Sequence, residues 1–257
     1  MFDILNTKEP ILTLMLRSNT PEKLISEIKT GIESGAEAFG FQMEAMDPAF
    51  RTEEFLKPII EAMQNRPSYV TNYQRTNASK TPQTDDELSQ ELLTAIKCGA
   101  TIVDIRGDLF DESKDEMTYD LKAIEKQKKL IDKIHEMGAL ALMSSHVFRY
   151  LTPDEALKIA EAQVERNVDI VKIVANSDTI EQLHSNLEIT AMLAQKIEKP
   201  VLFLSNGEFC RIHRIYGPYI AKPTLFLVGN NNETGLAQPN ICDALKAKEL
   251  SRVKVGI

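Results

Sequence analysis

Residues 139–175 read ALALMSSHVFRYLTPDEALKIAEAQVERNVDIVKIVA, an apolar run, an amphipathic stretch and a second apolar run in succession. The two runs, Ala139 to His146 and Asp169 to Asn176, have the aliphatic composition of buried strands. Between them, Pro153 to Asn167 carries apolar residues at three- and four-residue spacing. Thr152 before a proline is a typical helix start. The stretch therefore predicts a strand, a helix and a second strand parallel to the first.

The same alternation continues on both sides of this unit. Six further apolar runs predict strands, at Ile11 to Leu16, Ala36 to Glu44, Ser68 to Arg75, Thr101 to Asp108, Pro200 to Asn206 and Thr224 to Gly229. Amphipathic segments between the strands predict helices, among them Pro21 to Ser34, Asp85 to Cys98, Met117 to Met137 and Thr179 to Ile197. Eight strand–helix repeats favour a closed (β/α)8 TIM barrel over an open doubly wound sheet. Because no break in composition divides the chain, we predict an α/β fold with a single domain over residues 1–257.

Composition and charge exclude several classes of partner. With a formal net charge of −8 and a pI near 5.2, the chain lacks the basic surface that nucleic acid or an anionic membrane requires. Cys98, Cys210 and Cys242 do not have the spacing of a disulfide framework or a zinc site. The segment Leu16 to Thr20 replaces the glycine-rich loop of dinucleotide folds, so NAD is not expected. Without a leader pattern or a long apolar run, the expected compartment is the cytoplasm.

Lys172 is an ammonium in the middle of an otherwise apolar strand. The pleat places Ile170, Lys172 and Val174 on one face, and the lumen of a barrel is the better place for a charged amine than the space beneath the helices. An unpaired buried cation costs several kcal/mol, so such a lysine either pairs or loses its proton. One interpretation is a nucleophilic amine that forms a Schiff base. The alternative is a buried ion pair with Glu44 or Asp104.

Polar residues at the carboxyl ends of the predicted strands mark the expected active site, because the active site of a parallel barrel lies at that end. His146 ends the strand next to that of Lys172, and neighbouring strands are close enough for the two side chains to meet. Imidazole titrates near neutrality and can therefore move protons for an imine. Arg214 lies in a cation-rich segment after the seventh strand, where its guanidinium is either a fork for a substrate carboxylate or part of a solvated helix.

The segments Ser144-Ser145-His146-Val147-Phe148 and Val171-Lys172-Ile173-Val174 together resemble the type I 3-dehydroquinate dehydratases. The resemblance covers most of the chain and implies a (β/α)8 barrel that dehydrates 3-dehydroquinate to 3-dehydroshikimate in the shikimate pathway of aromatic amino acid biosynthesis. It further implies that Lys172 forms the Schiff base and His146 is the general acid and base, without a metal or organic cofactor. The substrate-binding residues that it implies are Arg214, Gln238, Thr234 and Arg75. A homodimer is common among such proteins and is an expectation on that ground alone.

Two strands depart from the family pattern. Where the family has E-x-R on the second strand, this chain has Gln42-Met43-Glu44, and where it has D-x-E on the fourth, this chain has Asp104-Ile105-Arg106. We include Gln42, Glu44 and Arg106 among the substrate-binding residues and hypothesise that Glu44 and Arg106 form an inverted ion pair. The family's acid in the loop after the third strand has no match in Ala78-Ser79-Lys80.

Three functions remain open at this stage. The first is dehydration of 3-dehydroquinate, or of a related cyclic keto carboxylic acid, through the lysine imine. The second is a class I aldolase or another Schiff-base lyase acting on a different keto acid. The third is a ligand-binding homologue without turnover, which the altered second and fourth strands keep in consideration.

Overall fold

The fold is an eight-stranded parallel barrel, seen in a computed structural model that describes residues 3–73, 83–222, 224–230 and 237–252. The strands are β1 (Ile11–Leu16), β2 (Ala38–Gln42), β3 (Ser68–Thr71), β4 (Ile102–Arg106), β5 (Leu140–His146), β6 (Ile170–Asn176), β7 (Val201–Asn206) and β8 (Leu225–Val228). Their order is β7-β6-β5-β4-β3-β2-β1-β8, so consecutive strands from β1 to β7 pair with one another and β8 pairs with β1. The predicted (β/α)8 TIM barrel is confirmed.

Helices follow the strands and form the outer layer of the barrel. They are α1 (Pro21–Glu33), α2 (Glu53–Ala62), α3 (Asp85–Lys97), α4 (Leu121–Glu136), α5 (Pro153–Val164), α6 (Ile180–Lys196), α7 (Cys210–Ile220) and α8 (Ile241–Ser251). Local sequence determines where several of them begin. Thr152 and Glu155 form a complete capping box at the start of α5, and Thr84 and Glu87 form another at α3.

Side chains alternate along each strand between the lumen and the helix layer. Val171, Ile173 and Ala175 belong to the large core between strands and helices. Ile170 and Val174 belong to the smaller apolar cluster inside the barrel. Lys172 shares their face, since its ammonium bonds Tyr69 of that same inner cluster. The prediction that Lys172 points into the lumen is therefore confirmed.

Four predicted strands end earlier in the structure than the sequence pattern suggests. β4 ends at Arg106 and not at Asp108, β8 ends at Val228 and not at Gly229, and β2 and β3 are shortened as well. β2 stops at Gln42, and Met43–Ala45 form a 3-10 turn. Arg51 stabilises this bend, because its guanidinium donates to the backbone oxygens of Glu44 (3.2 Å) and Met46 (2.8 Å).

The third strand stops at Thr71. Directly after it, the side chain of Asn72 donates to Glu91 Oε2 of α3 at 2.7 Å. The prediction that the strand continues through Asn72 and Tyr73 is therefore wrong, and its predicted end at Arg75 lies outside the described residues. In the described part of the chain, no helix combines the length and the apolar composition that crossing a membrane requires.

Candidate active site

Lys172 occupies the middle of the barrel, where its ammonium has three oxygen partners. Its Nζ donates to the hydroxyls of Tyr69 (2.8 Å) and Tyr73 (2.9 Å) and to Asp104 Oδ2 (3.1 Å). The side chain is only 4% exposed. Such burial is tolerated because all three N–H groups are satisfied and one partner carries the opposite charge.

Asp104 is the centre of this network. It accepts hydrogen bonds from both tyrosine hydroxyls and, at Oδ1, from Ser144 Oγ at 2.6 Å. The buried ion pair considered from the sequence is thus present, with Asp104 as the partner of Lys172 and not Glu44. An ion pair does not exclude imine chemistry, since the carboxylate beside the ammonium is also the nearest base for its proton.

The backbone of Lys172 is fixed from the helix layer. The Gln163 side chain of α5 accepts from the Lys172 N–H at 3.1 Å and donates to its carbonyl oxygen at 3.1 Å. The same amide donates to Ser145 Oγ at 3.0 Å, which ties β5 and β6 to one helix. The position of the amine relative to the end of β5 is therefore well determined.

His146 lies nearer the mouth of the barrel than Lys172. In the β5–β6 register Ser144 is opposite Lys172 and His146 is opposite Val174, so the histidine is two positions, about 6–7 Å, further toward the carboxyl end. Glu116 Oε2 accepts from the backbone N–H of His146 at 3.1 Å and lies 2.8 Å from ring Nδ1. A carboxylate at Nδ1 fixes the tautomer in which Nδ1 carries the proton and Nε2 is free to act as a base.

Several interactions hold the Glu116 side chain in position to contact His146. Burial opposes its ionisation, but the hydrogen bonds and charge of His146 outweigh that effect, so the pKa of Glu116 lies below its usual value. Its backbone adopts a left-handed conformation, φ 46°, which is unusual for a residue with a side chain. Ser145 Oγ donates to its carbonyl oxygen at 2.8 Å and so supports that conformation.

Tyr73 connects the two predicted catalytic residues. Its hydroxyl bonds the Lys172 ammonium, and its ring packs edge-on against the His146 ring with centroids 5.1 Å apart. The structure thus brings Lys172 and His146 into one site, as the sequence predicted.

A second group of residues forms a cationic corner at the ends of β1 and β7. Arg214 donates through Nε to the Ser205 carbonyl (2.7 Å) and through Nη2 to Asn206 Oδ1 (3.0 Å). Arg17, just after β1, donates to Gln238 Oε1 at 3.0 Å. Burial lowers the pKa of Arg214 to about 10, and the positive charge of Arg17 acts in the same direction.

With a pKa of about 10, the Arg214 guanidinium remains charged at neutral pH. Over the ranges that the structure describes, neither Arg17 nor Arg214 has a carboxylate within 4.0 Å, although Arg17 Nε is buried. Two close positive charges without a carboxylate partner among the described residues favour the binding of an anion.

The residues that depart from the family pattern are placed differently from our hypothesis. Arg106 contacts Asp108 (Nε to Oδ1, 3.2 Å) and approaches Asp85 at 4.0 Å. The Glu44 carboxylate instead meets Thr71 Oγ1 at 2.9 and 3.1 Å. The predicted Glu44–Arg106 ion pair is therefore wrong, because the turn after β2 directs Glu44 toward the end of β3.

Glu44 remains a buried acid beside the site. It is 1% exposed, and burial raises its pKa to about 7. Gln42, the last residue of β2, is half-buried, and no described hydrogen bond involves its side chain. Thr234 and Arg75, the remaining predicted binding residues, lie outside the described residues and stay predictions.

Four residues of the site were not among those predicted from the sequence: Arg17, Tyr69, Tyr73 and Glu116. Tyr69 was recognisable in principle, because the alternation along β3 places it on the lumen face with Thr71. His213 follows the seventh strand but is not part of the site. It is buried against α6, with Nε2 3.0 Å from Thr190 Oγ1, and burial lowers its pKa to about 4. Within the described ranges, no three His, Cys, Asp or Glu side chains gather where a metal ion would bind.

Comparison with known proteins supports the resemblance. The family model of type I 3-dehydroquinase matches residues 12–254. The 3-dehydroquinate dehydratase of Geobacillus kaustophilus HTA426 has a similar structure, with a TM-score of 0.81 at 14% identity, over 97% of this chain and 95% of the other. The type I 3-dehydroquinate dehydratase of Clostridium difficile, solved with covalent modified comenic acid, has a TM-score of 0.82 at 12% identity, over 96% and 94%.

The 3-dehydroquinate dehydratase of Enterococcus faecalis is also similar, with a TM-score of 0.78 at 13% identity, over 96% of this chain and 95% of the other. No curated protein matches the chain. Identities this low show a common fold, whereas the family model covers nearly the whole sequence. The barrel, its lumen lysine and the match over residues 12–254 together show that this chain belongs to the type I 3-dehydroquinase family.

Proposed function

We propose that this protein dehydrates 3-dehydroquinate to 3-dehydroshikimate through a Schiff base on Lys172, with His146 as general base and acid. The observation that carries the proposal is the meeting of the Lys172 amine and the His146 imidazole through one residue, Tyr73, at the mouth of the barrel. Membership of the family supports the reaction class. We place this activity in the cytoplasm, as a step of the shikimate pathway.

The cationic corner supports the binding of a carboxylate substrate. Arg214 retains donors beyond those used for Ser205 and Asn206, and the nearby Arg17 adds a second positive charge. With its carboxylate bound in this corner, the ring of 3-dehydroquinate would extend toward Lys172. Gln238 is already bonded to Arg17 and would close the same end of the pocket.

The chemistry proceeds in three steps. Neutral Lys172 attacks the ring ketone, and loss of water gives a protonated imine that withdraws electrons from the neighbouring carbon. His146 then removes a proton from that carbon through Nε2, while Glu116 stabilises the imidazolium that forms. The His146 imidazolium then returns its proton to the β-hydroxyl group, which leaves as water from the carbon that bears the carboxylate as the double bond forms. Hydrolysis releases the enone from Lys172.

A related keto acid is the second candidate substrate, and Arg106 is the observation that favours it. The Nη1 atom of Arg106 is buried without a described hydrogen-bond partner. The charge of this residue is opposite to that of the family's glutamate, and Gln42 and Glu44 also replace the residues that the family uses near ring hydroxyls. A substrate with an additional acceptor group on that side of the pocket would satisfy Arg106.

Borohydride trapping tests the proposal. Incubation with 3-dehydroquinate and reductant is expected to add one reduced substrate to Lys172, detected by mass spectrometry, and Lys172→Ala should give no adduct. The matched control is Lys248→Met, which removes another buried lysine at the opposite end of the barrel. Turnover is followed in parallel as the absorbance of the conjugated enone.

The His146→Ala variant separates the two halves of the mechanism. It is expected to keep the adduct and lose about 10²-fold or more in turnover, the usual scale for loss of a general base. If 3-dehydroquinate gives neither adduct nor enone while another keto acid is trapped at Lys172, the protein is a Schiff-base lyase or aldolase of different specificity. If no keto acid is trapped, the barrel is a binding protein.

A further inference from the structure

We propose that Tyr73 is a catalytic residue that relays the protons of imine formation between Asp104, Lys172 and the oxygen of the substrate ketone. This inference rests on the proposed function and adds a residue and a step to it. The step is the one that precedes any action of His146.

The geometry places the Tyr73 hydroxyl at the centre of the reacting groups. It lies 2.9 Å from Lys172 Nζ, donates to Asp104 Oδ2 and lies 3.2 Å from Ser144 Oγ. In the addition product the former ketone oxygen is only two bonds from Nζ. A hydroxyl that already bonds Nζ is therefore within reach of that oxygen.

Tyr69 makes the same two contacts but from a deeper position. Its hydroxyl lies 2.8 Å from Nζ and also donates to Asp104, yet Tyr69 is within β3, opposite Ile102 in the sheet, and is only 1% exposed. Tyr73 lies beyond the end of β3 and contacts the ring of His146 at the mouth. Because the substrate enters from the mouth, Tyr73 faces the reacting carbon and Tyr69 lies behind the amine.

Every proton that moves during imine formation has a donor and an acceptor in this network. The Lys172 ammonium gives one proton to Asp104, and the neutral amine forms a bond to the ketone carbon. Tyr73 accepts a proton from the nitrogen of the adduct while donating its own to the alkoxide, which gives the neutral carbinolamine. In the dehydration that follows, Tyr73 protonates the departing hydroxyl and recovers a proton from Asp104. The products are one water, the protonated imine and the Asp104 carboxylate.

The resting network supports this role. Burial, together with the charge of Asp104, raises the pKa of Tyr73 well above its usual value, so the hydroxyl carries its proton before the substrate arrives. A hydroxyl is also the simplest group that accepts one proton and donates another in the same step. The carboxylate of Asp104 lacks this property while it is ionised.

Comparison of Tyr73→Phe with Tyr69→Phe tests the relay. Each variant removes one hydroxyl bonded to both Nζ and Asp104. If the two hydroxyls only hold the amine in place, the two variants should slow adduct formation equally. The rate of adduct formation is measured with 3-dehydroquinate by quenching into borohydride at successive times. We expect Tyr73→Phe to slow adduct formation by about 10²-fold and Tyr69→Phe by less than about tenfold.

The outcomes separate this inference from the proposed function. Adduct formation at the wild-type rate in Tyr73→Phe, or equal loss in the two variants, overturns the relay while the dehydratase proposal stands. Absence of adduct in the wild-type protein overturns both. Circular dichroism and thermal unfolding of both tyrosine variants show whether they are folded. Because His146 acts after the imine has formed, His146→Ala should form the adduct at the wild-type rate.

Discussion

The orientation of His146 depends on Glu116, whose carboxylate bonds both the backbone N–H and ring Nδ1 of the histidine. The carboxylate selects the tautomer and stabilises the imidazolium that forms when Nε2 accepts a proton. In the mechanism proposed above, Glu116 acts through His146 and is a positioning residue. It comes from the connection between β4 and α4, and Ser145 supports it from the adjacent strand.

Replacement of the charge tests this dependence. We expect Glu116→Gln to lower kcat for 3-dehydroquinate by about 10²-fold with little change in KM, because the cationic corner is intact. The rate of imine trapping should be unchanged, since His146 acts after the imine forms. Asp115→Asn is the matched control, because Asp115 bonds Arg149 at 2.8 Å and does not contact the histidine. A kcat for Glu116→Gln equal to that of the control would remove Glu116 from the mechanism.

Residues of the site differ in how well the sequence predicts them. Lys172 stands out because a cation in an apolar strand is rare, and His146 follows from the position of the strand end. Glu116 lies in a connection, where no alternation relates a side chain to the lumen, and Tyr73 lies beyond the end of β3, where strand pairing no longer fixes its direction. Their positions depend on tertiary contacts such as those of Ser145 and Asn72, which the sequence does not reveal.

At the scale of elements, the ends of β2 and β3 determine the position of Glu44, one of the residues at which this chain departs from the family pattern. Hydrophobic alternation predicts that these strands exist and where they lie, but it continues beyond the point where the ladder stops. Where the strands end, Arg51 contacts the turn after β2 and Asn72 contacts α3. Consequently Glu44 meets Thr71, and its partner differs from the arginine that the pattern suggested.

The buried Glu44 predicts a specific dependence of stability on pH. Its pKa is about 7 in the folded state against 4.5 in the ordinary environment, so the folded state binds the extra proton between these values. The group's contribution is fully present below pH 4.5 and is lost as pH rises through 7, a change of about 3 kcal/mol.

Glu44→Gln removes this titration. From urea denaturation at pH 4.5 and pH 8, we expect the free energy of unfolding of the variant relative to the wild type to rise by about 2–3 kcal/mol over that range. Glu54→Gln, which alters an exposed acid at the start of α2, controls for general charge effects. A pH-independent difference between Glu44→Gln and the wild type would contradict the buried titration.

At the scale of the whole molecule, the two ends of the barrel have different tasks. The carboxyl ends of the strands hold the lysine network and the cationic corner. At the opposite end, Lys248 of α8 is buried and donates to Glu37 at 2.7 and 2.8 Å and to the Pro10 carbonyl at 3.0 Å. These contacts join the last helix to the starts of β1 and β2, across more than 200 residues of sequence.

Lys248→Met therefore tests whether stability and chemistry are separable in this barrel. Loss of a hydrogen-bonded ion pair whose acid is 41% exposed should lower the free energy of unfolding by about 1–2 kcal/mol after allowance for solvent screening. Imine trapping and enone formation should keep their wild-type rates, since the site lies at the other end. Lys246→Met, an exposed lysine on the same helix, is expected to leave both properties unchanged. A Lys248→Met variant that is fully stable but slow would show instead that the far end of the barrel influences the position of Lys172.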